Sequence, residues 1–466
     1  MALEERGVTS TADKTHVQSD DRPLWRVFLA FLGPMLFGNV LQSLSGTFNN
    51  VFIGQMLGTH ALAAVASVFP IVFFLISLII GVGAGASVLI GQAWGAGETH
   101  KVKAIAGTAL TLGLAFGIAI ALLGGIFTEN MLHLLRTPPS VLPDAIAYAR
   151  VMMFAMPGLL VFLLATQMMR GVGDTVTPLY ALLISTGISC VLTPGLIRGW
   201  FGFPGLGVTS AATATIGSFL VSLCFLFFYM RRTKHPLAPD RELLRSLRID
   251  PKLLRLVVRI GLPTGMQVIV MSLAEIALLA LVNRFGADAT AAYGAVNQVV
   301  NYVQFPAISI AITASILCAQ AIGAGRNDRL GAITATAIRM TLVLTGSLVV
   351  LGYLLSRYIV GIFITSEPVV ELAQSLLHIM LWSSVVYGCA AILSGVMRAS
   401  GTVLVPTAIS ILCIVAVEVP TAYALADRFG IEGVWMAYPV TFITMLILQA
   451  AYYRLVWRKK KITRLV

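Results

Sequence analysis

Apolar stretches long enough to cross a bilayer recur along the whole chain, separated by short polar or glycine-rich breaks. A crossing helix needs about 20 predominantly apolar residues. The pattern predicts twelve helices, near residues 24–54, 60–90, 101–126, 145–170, 177–198, 205–230, 253–284, 289–322, 330–356, 369–398, 405–426 and 432–457. Within several of them the polar residues fall at helical spacing. In Gly261 to Gly286 the residues Thr264, Gln267, Met271 and Glu275 form one stripe, which can face a protein interior or a wet cavity while Ile and Leu face lipid. The first span carries Asn39, Gln42, Gly46 and either Asn49 or Asn50 on one face, and the eighth carries Asn297, Asn301 and Gln304. Interhelical hydrogen bonding would account for any one of these singly. Taken together the stripes predict a polar cavity, with Tyr302 and Tyr387 among the aromatic and soft surfaces that suit bulky amphipathic ligands.

Composition agrees with the pattern. The chain is 58% hydrophobic and only 11% charged, with a mean hydropathy of +0.90, far from the roughly one-quarter charged residues of a soluble domain. The fold class is therefore all-α and polytopic. A net charge of +12 would suit nucleic acid if it were gathered on one soluble face. Instead Lys and Arg collect in alternate breaks: Lys101 and Lys103, the stretch from Arg231 to Arg259, Arg326 and Arg329, and the C-terminal RKKKITR. Such alternation is the positive-inside pattern, so both termini are expected in the cytoplasm and no nucleic-acid partner is expected. Residues 1–22 are polar, lack an apolar leader core, and read as a disordered cytoplasmic tail. The five cysteines lie in apolar segments without a CxxC pair, so neither disulfides nor a metal site is expected. No P-loop, HExxH or GxSxG is present, which argues against an enzyme or a nucleotide-driven pump.

An internal duplication organises the rest. A shift of 228 residues (58 to 286) lays Leu57–Val68 on Phe285–Val296, Gly91–Gly97 on Ala319–Gly325, Arg170 on Arg398, Gly173 on Gly401 and Pro178 on Pro406. One register held through all of these predicts two homologous lobes of six helices, at 23–230 and 253–458, with a basic linker at 231–252 and a basic tail at 459–466. Six is even, so the lobes enter the membrane in the same direction, related by a pseudo-twofold axis along its normal. In transporters built this way the substrate site lies near the repeat interface, and rocking of the halves gives alternating access. The linker would be the tether that permits it.

Carboxylates within the spans are scarce. The first lobe has none at depth, since Asp144 and Asp174 lie near span ends, whereas the second has Glu275 and Glu418. At about 1.5 Å per residue both stand roughly 12 to 14 Å from the outer end of their helices. An ionisable group at that depth is a functional candidate by default. Such a pair could take a proton from the outer side and release it inward, and a carboxylate with hydroxyl and carbonyl oxygens could equally hold Na⁺. Glu275 and Glu418 are therefore the candidate coupling residues. Arg339 reads as snorkelling to the cytoplasmic surface.

The motifs carry a family likeness. NNVFIGQMLG followed by ALAAV, GQAWGAGE, RGVGDTVTP and AQAIGAGRND together resemble the multidrug and toxic compound extrusion (MATE) family over nearly the whole chain beyond residue 23. The resemblance implies a V-shaped, two-lobed bacterial inner-membrane antiporter that exports organic, often cationic, compounds in exchange for H⁺ or Na⁺, with no further cofactor, as a monomer among membrane lipids. Many members have Asp where Asn50 stands here. A seventh-span Glu of one branch falls at Met271, one turn before Glu275, and its tenth-span Asp falls at Tyr387. A flippase for lipid-linked precursors is the alternative, although it would want several cationic cavity residues.

Overall fold

The computed structural model describes residues 23–135, 137–202, 205–363 and 366–466. The N-terminal tail and Arg136 lie outside them. No strand occurs among the described residues. The helices are α1 (Leu24–Leu57), α2 (Thr59–Gly95), α3 (Thr99–Leu134), α4 (Leu142–Gly171), α5 (Val176–Arg198), α6 (Thr209–Arg232), α7 (Arg241–Arg245), α8 (Pro251–Val282), α9 (Ala287–Gly323), α10 (Arg329–Gly361), α11 (Glu367–Met380), α12 (Ser383–Ala399), α13 (Leu404–Leu412), α14 (Val419–Phe429) and α15 (Ile431–Leu455). Among the described residues eleven stretches are each long and apolar enough to cross a membrane, and α11 with α12, bent by 41° at their junction, supplies the twelfth. Prolines sit inside seven of the long helices, among them Pro34, Pro157 and Pro263. Neighbouring helices and local adjustments satisfy the freed backbone groups of such kinks inside a bilayer.

Two spans are less regular than an unbroken apolar run suggests. The tenth is split between α11 and α12, where the Ser383 hydroxyl donates to Met380 O at 2.5 Å and so competes for a carbonyl of the helix ladder. The eleventh contains a π-helical turn, Cys413–Glu418, between α13 and α14. Pro420, just inside α14, has no N–H to continue the ladder, and the wider turn takes up the mismatch.

The duplication is written in the backbone. Eight of the ten left-handed glycines among the described residues occur in pairs at the 228 shift: Gly58 and Gly286 (φ 88 and 99), Gly97 and Gly325 (75 and 73), Gly173 and Gly401 (95 and 79), Gly202 and Gly430 (77 and 63), while Gly199 and Gly207 have no counterpart. A residue with a side chain rarely adopts such φ values, so both repeats break their helices at matching points.

Packing divides the chain into two compact units, residues 37–262 and residues 263–466 with the first part of α1. In the first unit, a Cβ on Gly261 would stand 2.7 Å from Gly81 O and 2.7 Å from Val82 Cα, so the start of α8 crosses α2 at backbone contact. The basic linker also packs here rather than hanging free. Lys103 on α3 pairs with Asp240 and, at 2.7 Å, with Glu242, and Thr108 donates to Arg248 O at 3.3 Å. In the second unit, Thr313 Oγ1 on α9 lies 3.7 Å from Met35 Sδ. Its core gathers Tyr293, Leu376, Leu381, Trp435 and Tyr438 from α9, the α11–α12 break and α15.

Candidate functional site

The second unit contains a cavity of about 110 Å³. The α8 stripe supplies Gln267, Met271 and Glu275, and the α9 stripe supplies Asn297, Asn301 and Gln304. Met380 of α11, Tyr387 of α12, Glu418 at the end of the π turn, and Tyr438, Phe442 and Met445 of α15 also line it. Glu418 is 6% exposed, whereas Glu275 is exposed. The two carboxylates line the same cavity. The π turn bears on this directly. Such turns recur at functional sites, and here the widened backbone ends on the buried acid.

The cavity joins an aromatic ladder. Tyr387 packs on Phe442 with centroids 5.0 Å apart, Trp435 on Tyr438 at 5.6 Å and Tyr293 on Trp435 at 5.3 Å, while the Tyr293 and Tyr438 hydroxyls lie 3.3 Å apart. Polarizable rings and thioethers beside carboxylates make a surface that attracts organic cations.

Of the residues singled out from the sequence, eight meet here: Gln267, Met271, Glu275, Asn297, Asn301, Gln304, Tyr387 and Glu418. Tyr302 is not among the lining residues and packs edge-on to Phe305, centroids 5.6 Å apart. Asn39, Gln42 and Asn50 lie on the part of α1 that belongs to the first unit; Gln42 and Asn50 are exposed. The inward asparagine there is Asn49, whose Oδ1 accepts from Thr193 at 3.1 Å and Ser189 at 3.4 Å. Arg339 is exposed. Tyr438, Phe442 and Met445 were missed, although their spacing of four and three on the last span is the same helical signal that marked the α8 stripe.

A second polar cluster lies outside the spans. Asp174, 1% exposed, follows Gly173 in the break between α4 and α5 and accepts from Val176 N and Thr177 N, each at 3.0 Å. His235 Nε2 stands 3.4 Å from its Oδ2, while His235 Nδ1 accepts from Leu237 N at 3.1 Å. Burial works against ionisation of Asp174, but hydrogen bonds from His235 and Thr177 hold its carboxyl below the usual carboxylate range.

Comparison with known proteins agrees with this architecture. The MatE family model matches residues 34–194 and again 263–424. The chain belongs to the MATE family. The two matches fall one in each repeat. A Bacillus subtilis protein named "Probable multidrug resistance protein YoeA" is 44% identical over 452 residues, covering 96% of this chain and 98% of that protein. A Shewanella oneidensis protein named "FAD transporter" is 27% identical over 431 residues, covering 92% and 94%. Among solved structures, a mutant of the Vibrio cholerae MATE transporter VcmN matches with a TM-score of 0.87 at 22% identity, covering 94% of this chain and 98% of that one. The fold is that of a twelve-span, two-lobed MATE transporter.

Proposed function

We propose that this chain is a secondary active antiporter of a bacterial plasma membrane, with both termini cytoplasmic, which exports organic cationic or amphipathic compounds by alternating access in exchange for H⁺ or Na⁺. The observation that carries the reading is the cavity of the second unit, where Glu275 and Glu418 share one space with Tyr387, Tyr438 and methionines. The multidrug-resistance name of the 44% identical relative supports it, as does family membership. Coupling requires a group that binds the ion in one state and releases it in the other. The paired carboxylates are the groups placed to do so. A flippase for lipid-linked precursors gains no support, because none of the residues lining this cavity is basic.

The test is efflux of a fluorescent organic cation from proteoliposomes, with the H⁺ and Na⁺ gradients imposed separately. One gradient alone is expected to drive export. Glu275→Gln and Glu418→Gln should each reduce gradient-driven export at least tenfold while the protein remains folded. Export that is undiminished in both variants would remove the carboxylates from the mechanism.

A further inference from the structure

The face of α10 that packs on α11 and α12 carries Thr341, Thr345, Val349, Gly352 and Ser356, all buried. Their spacing of four, four, three and four keeps them on one stripe. Two close approaches fix the register across the seam. A Cβ on Gly352 would stand 2.6 Å from Leu381 Cδ2, and one on Gly388 would stand 2.7 Å from Thr341 Cγ2. The numbering rises along one helix as it falls along the other, so Thr345, one turn from Thr341, lies opposite Ser384, one turn from Gly388.

Thr341, Thr345 and Ser384 are each 0% exposed, and none of their hydroxyls has a hydrogen-bond partner among the described residues. Other buried hydroxyls in this lobe, with Ser394 a further exception, are satisfied in the usual way, by the carbonyl one turn back. Thr334 donates to Leu330 O at 2.8 Å and Thr313 to Ser309 O at 2.8 Å. Three orphaned hydroxyls on one seam go against the rule that buried polar groups are paired.

The first lobe provides an internal control. At the 228 shift, Gly113, Gly117, Gly124, Met153 and Met156 occupy the places of Thr341, Thr345, Gly352, Leu381 and Ser384. Gly124 meets Met153 as Gly352 meets Leu381, each with a would-be Cβ contact of 2.6 Å, so α3 and α4 keep the same register. There the seam is closed by glycine: a Cβ on Gly117 would stand 2.6 Å from Pro157 Cα, and one on Gly113 would stand 2.2 Å from Leu164 Cδ1. The second lobe puts two β-branched hydroxyls and a serine where the first has glycines and a methionine.

We propose that the seam between α10 and α12 is a binding site for ordered water, bridging Thr341, Thr345 and Ser384. Each hydroxyl is both donor and acceptor. Water serves both functions, whereas a monovalent cation would take only the lone pairs and leave three O–H groups unpaired. The site is independent of the transport reading, although it adjoins the cavity: Met380, Ser384 and Tyr387 follow at spacings of four and three on the broken span, and the first and last of them line the cavity.

Isosteric substitution tests the site. If water is bound, Thr345→Val and Ser384→Ala each lower the thermal midpoint of the purified protein by about 1–2 °C, the shift expected for one lost buried hydrogen-bond link in a chain of this length. The double variant Thr345→Val/Ser384→Ala falls no further than the weaker single variant, because either change releases the shared water. A midpoint raised or unchanged by Thr345→Val overturns the proposal, since removing a truly unpaired hydroxyl is neutral or stabilising. A midpoint of the wild type that rises in Na⁺ over choline, with the rise abolished by Thr345→Val, overturns it in favour of a cation. A structure at about 2 Å resolution, where ordered water is visible, is expected to show density between Thr345 and Ser384; an empty seam there would also overturn it.

Discussion

Glu418 and Asp174 are both buried acids, yet their surroundings give them opposite tasks. Glu418 ends a π turn and faces a cavity shared with a second carboxylate. Asp174 is enclosed by donors, from Val176 N and Thr177 N to the imidazole of His235. Sequence reading found Glu418 because an acid deep in an apolar run stands out. It passed over Asp174 as a span-end residue, because its partner His235 lies in the linker and spacing along the chain says nothing about that contact. The consequence for Asp174 is a pH dependence of defined sign. Its carboxyl is held below its ordinary value of 3.8, so the unfolded chain takes up the proton more readily than the folded one. The stability this contributes is fully present above that ordinary value and is lost as pH falls through the lower, folded value. Asp174→Asn should therefore lower the thermal midpoint at pH 6. The gap between variant and wild type should close as the pH is taken below about 4. A gap that stays constant down to pH 3 would mean that Asp174 acts only through its shape.

At the scale of elements, the positions of the twelve spans were legible and their interruptions were not. Apolar length reports where a helix crosses, but LWSS at 381–384 and CIVAVEVP at 413–420 read as continuous apolar helix. The bend and the π turn come from individual bonds, the Ser383 hydroxyl on Met380 O and the missing N–H of Pro420. Glycines show the same division. In the GVGAG run of the second span, Gly81 and Gly85 meet Gly261 and Val257 of α8 at backbone distance; small residues of this kind permit close helix approach, but spacing along the chain does not say which helix makes it. The two kinds of glycine give predictions of opposite sign. Gly261→Ala places a Cβ 2.7 Å from Gly81 O, so α2 and α8 must separate, at a cost of about 1–3 kcal/mol. Gly294, within α9, has nothing within 4 Å of a Cβ, and Gly294→Ala should stabilise by about 0.5–1 kcal/mol through helix propensity. Thermal midpoints of the two variants in one detergent check both. A Gly261→Ala protein as stable as the wild type would show that the crossing has slack.

For the whole molecule, the duplication was the most legible feature, because a single shift repeats motifs and left-handed glycines alike, and the family model matches once in each repeat. The linker was the least legible. Counted by charge, residues 231–252 are a basic stretch that suits a free tether, and two of its three acids, Asp240 and Glu242, look incidental. In the fold these two acids are the docking points. Lys103 of α3, whose side chain is 12% exposed, pairs with both. Asp240 Oδ1 also accepts from Glu242 N and Leu243 N, at 3.1 and 2.9 Å, to start α7. Gly107 leaves no room for a side chain beneath Ser246. The linker is thus fixed to the first unit by a partly buried ion cluster, stronger than an exposed pair of the kind that contributes about 0–1 kcal/mol. Lys103→Met keeps the length of the side chain and removes its charge, leaving two acids facing each other across an apolar group. The linker should then leave α3. Trypsin should cut at Arg241, Arg245 and Arg248 several-fold faster than in the wild type, in detergent and at low salt, with the spans intact. High salt should narrow the difference by loosening the wild-type linker, since screening weakens the partly exposed acids' hold on Lys103. Equal cleavage of variant and wild type at low salt would show that the linker is held by Gly107 and Thr108 alone.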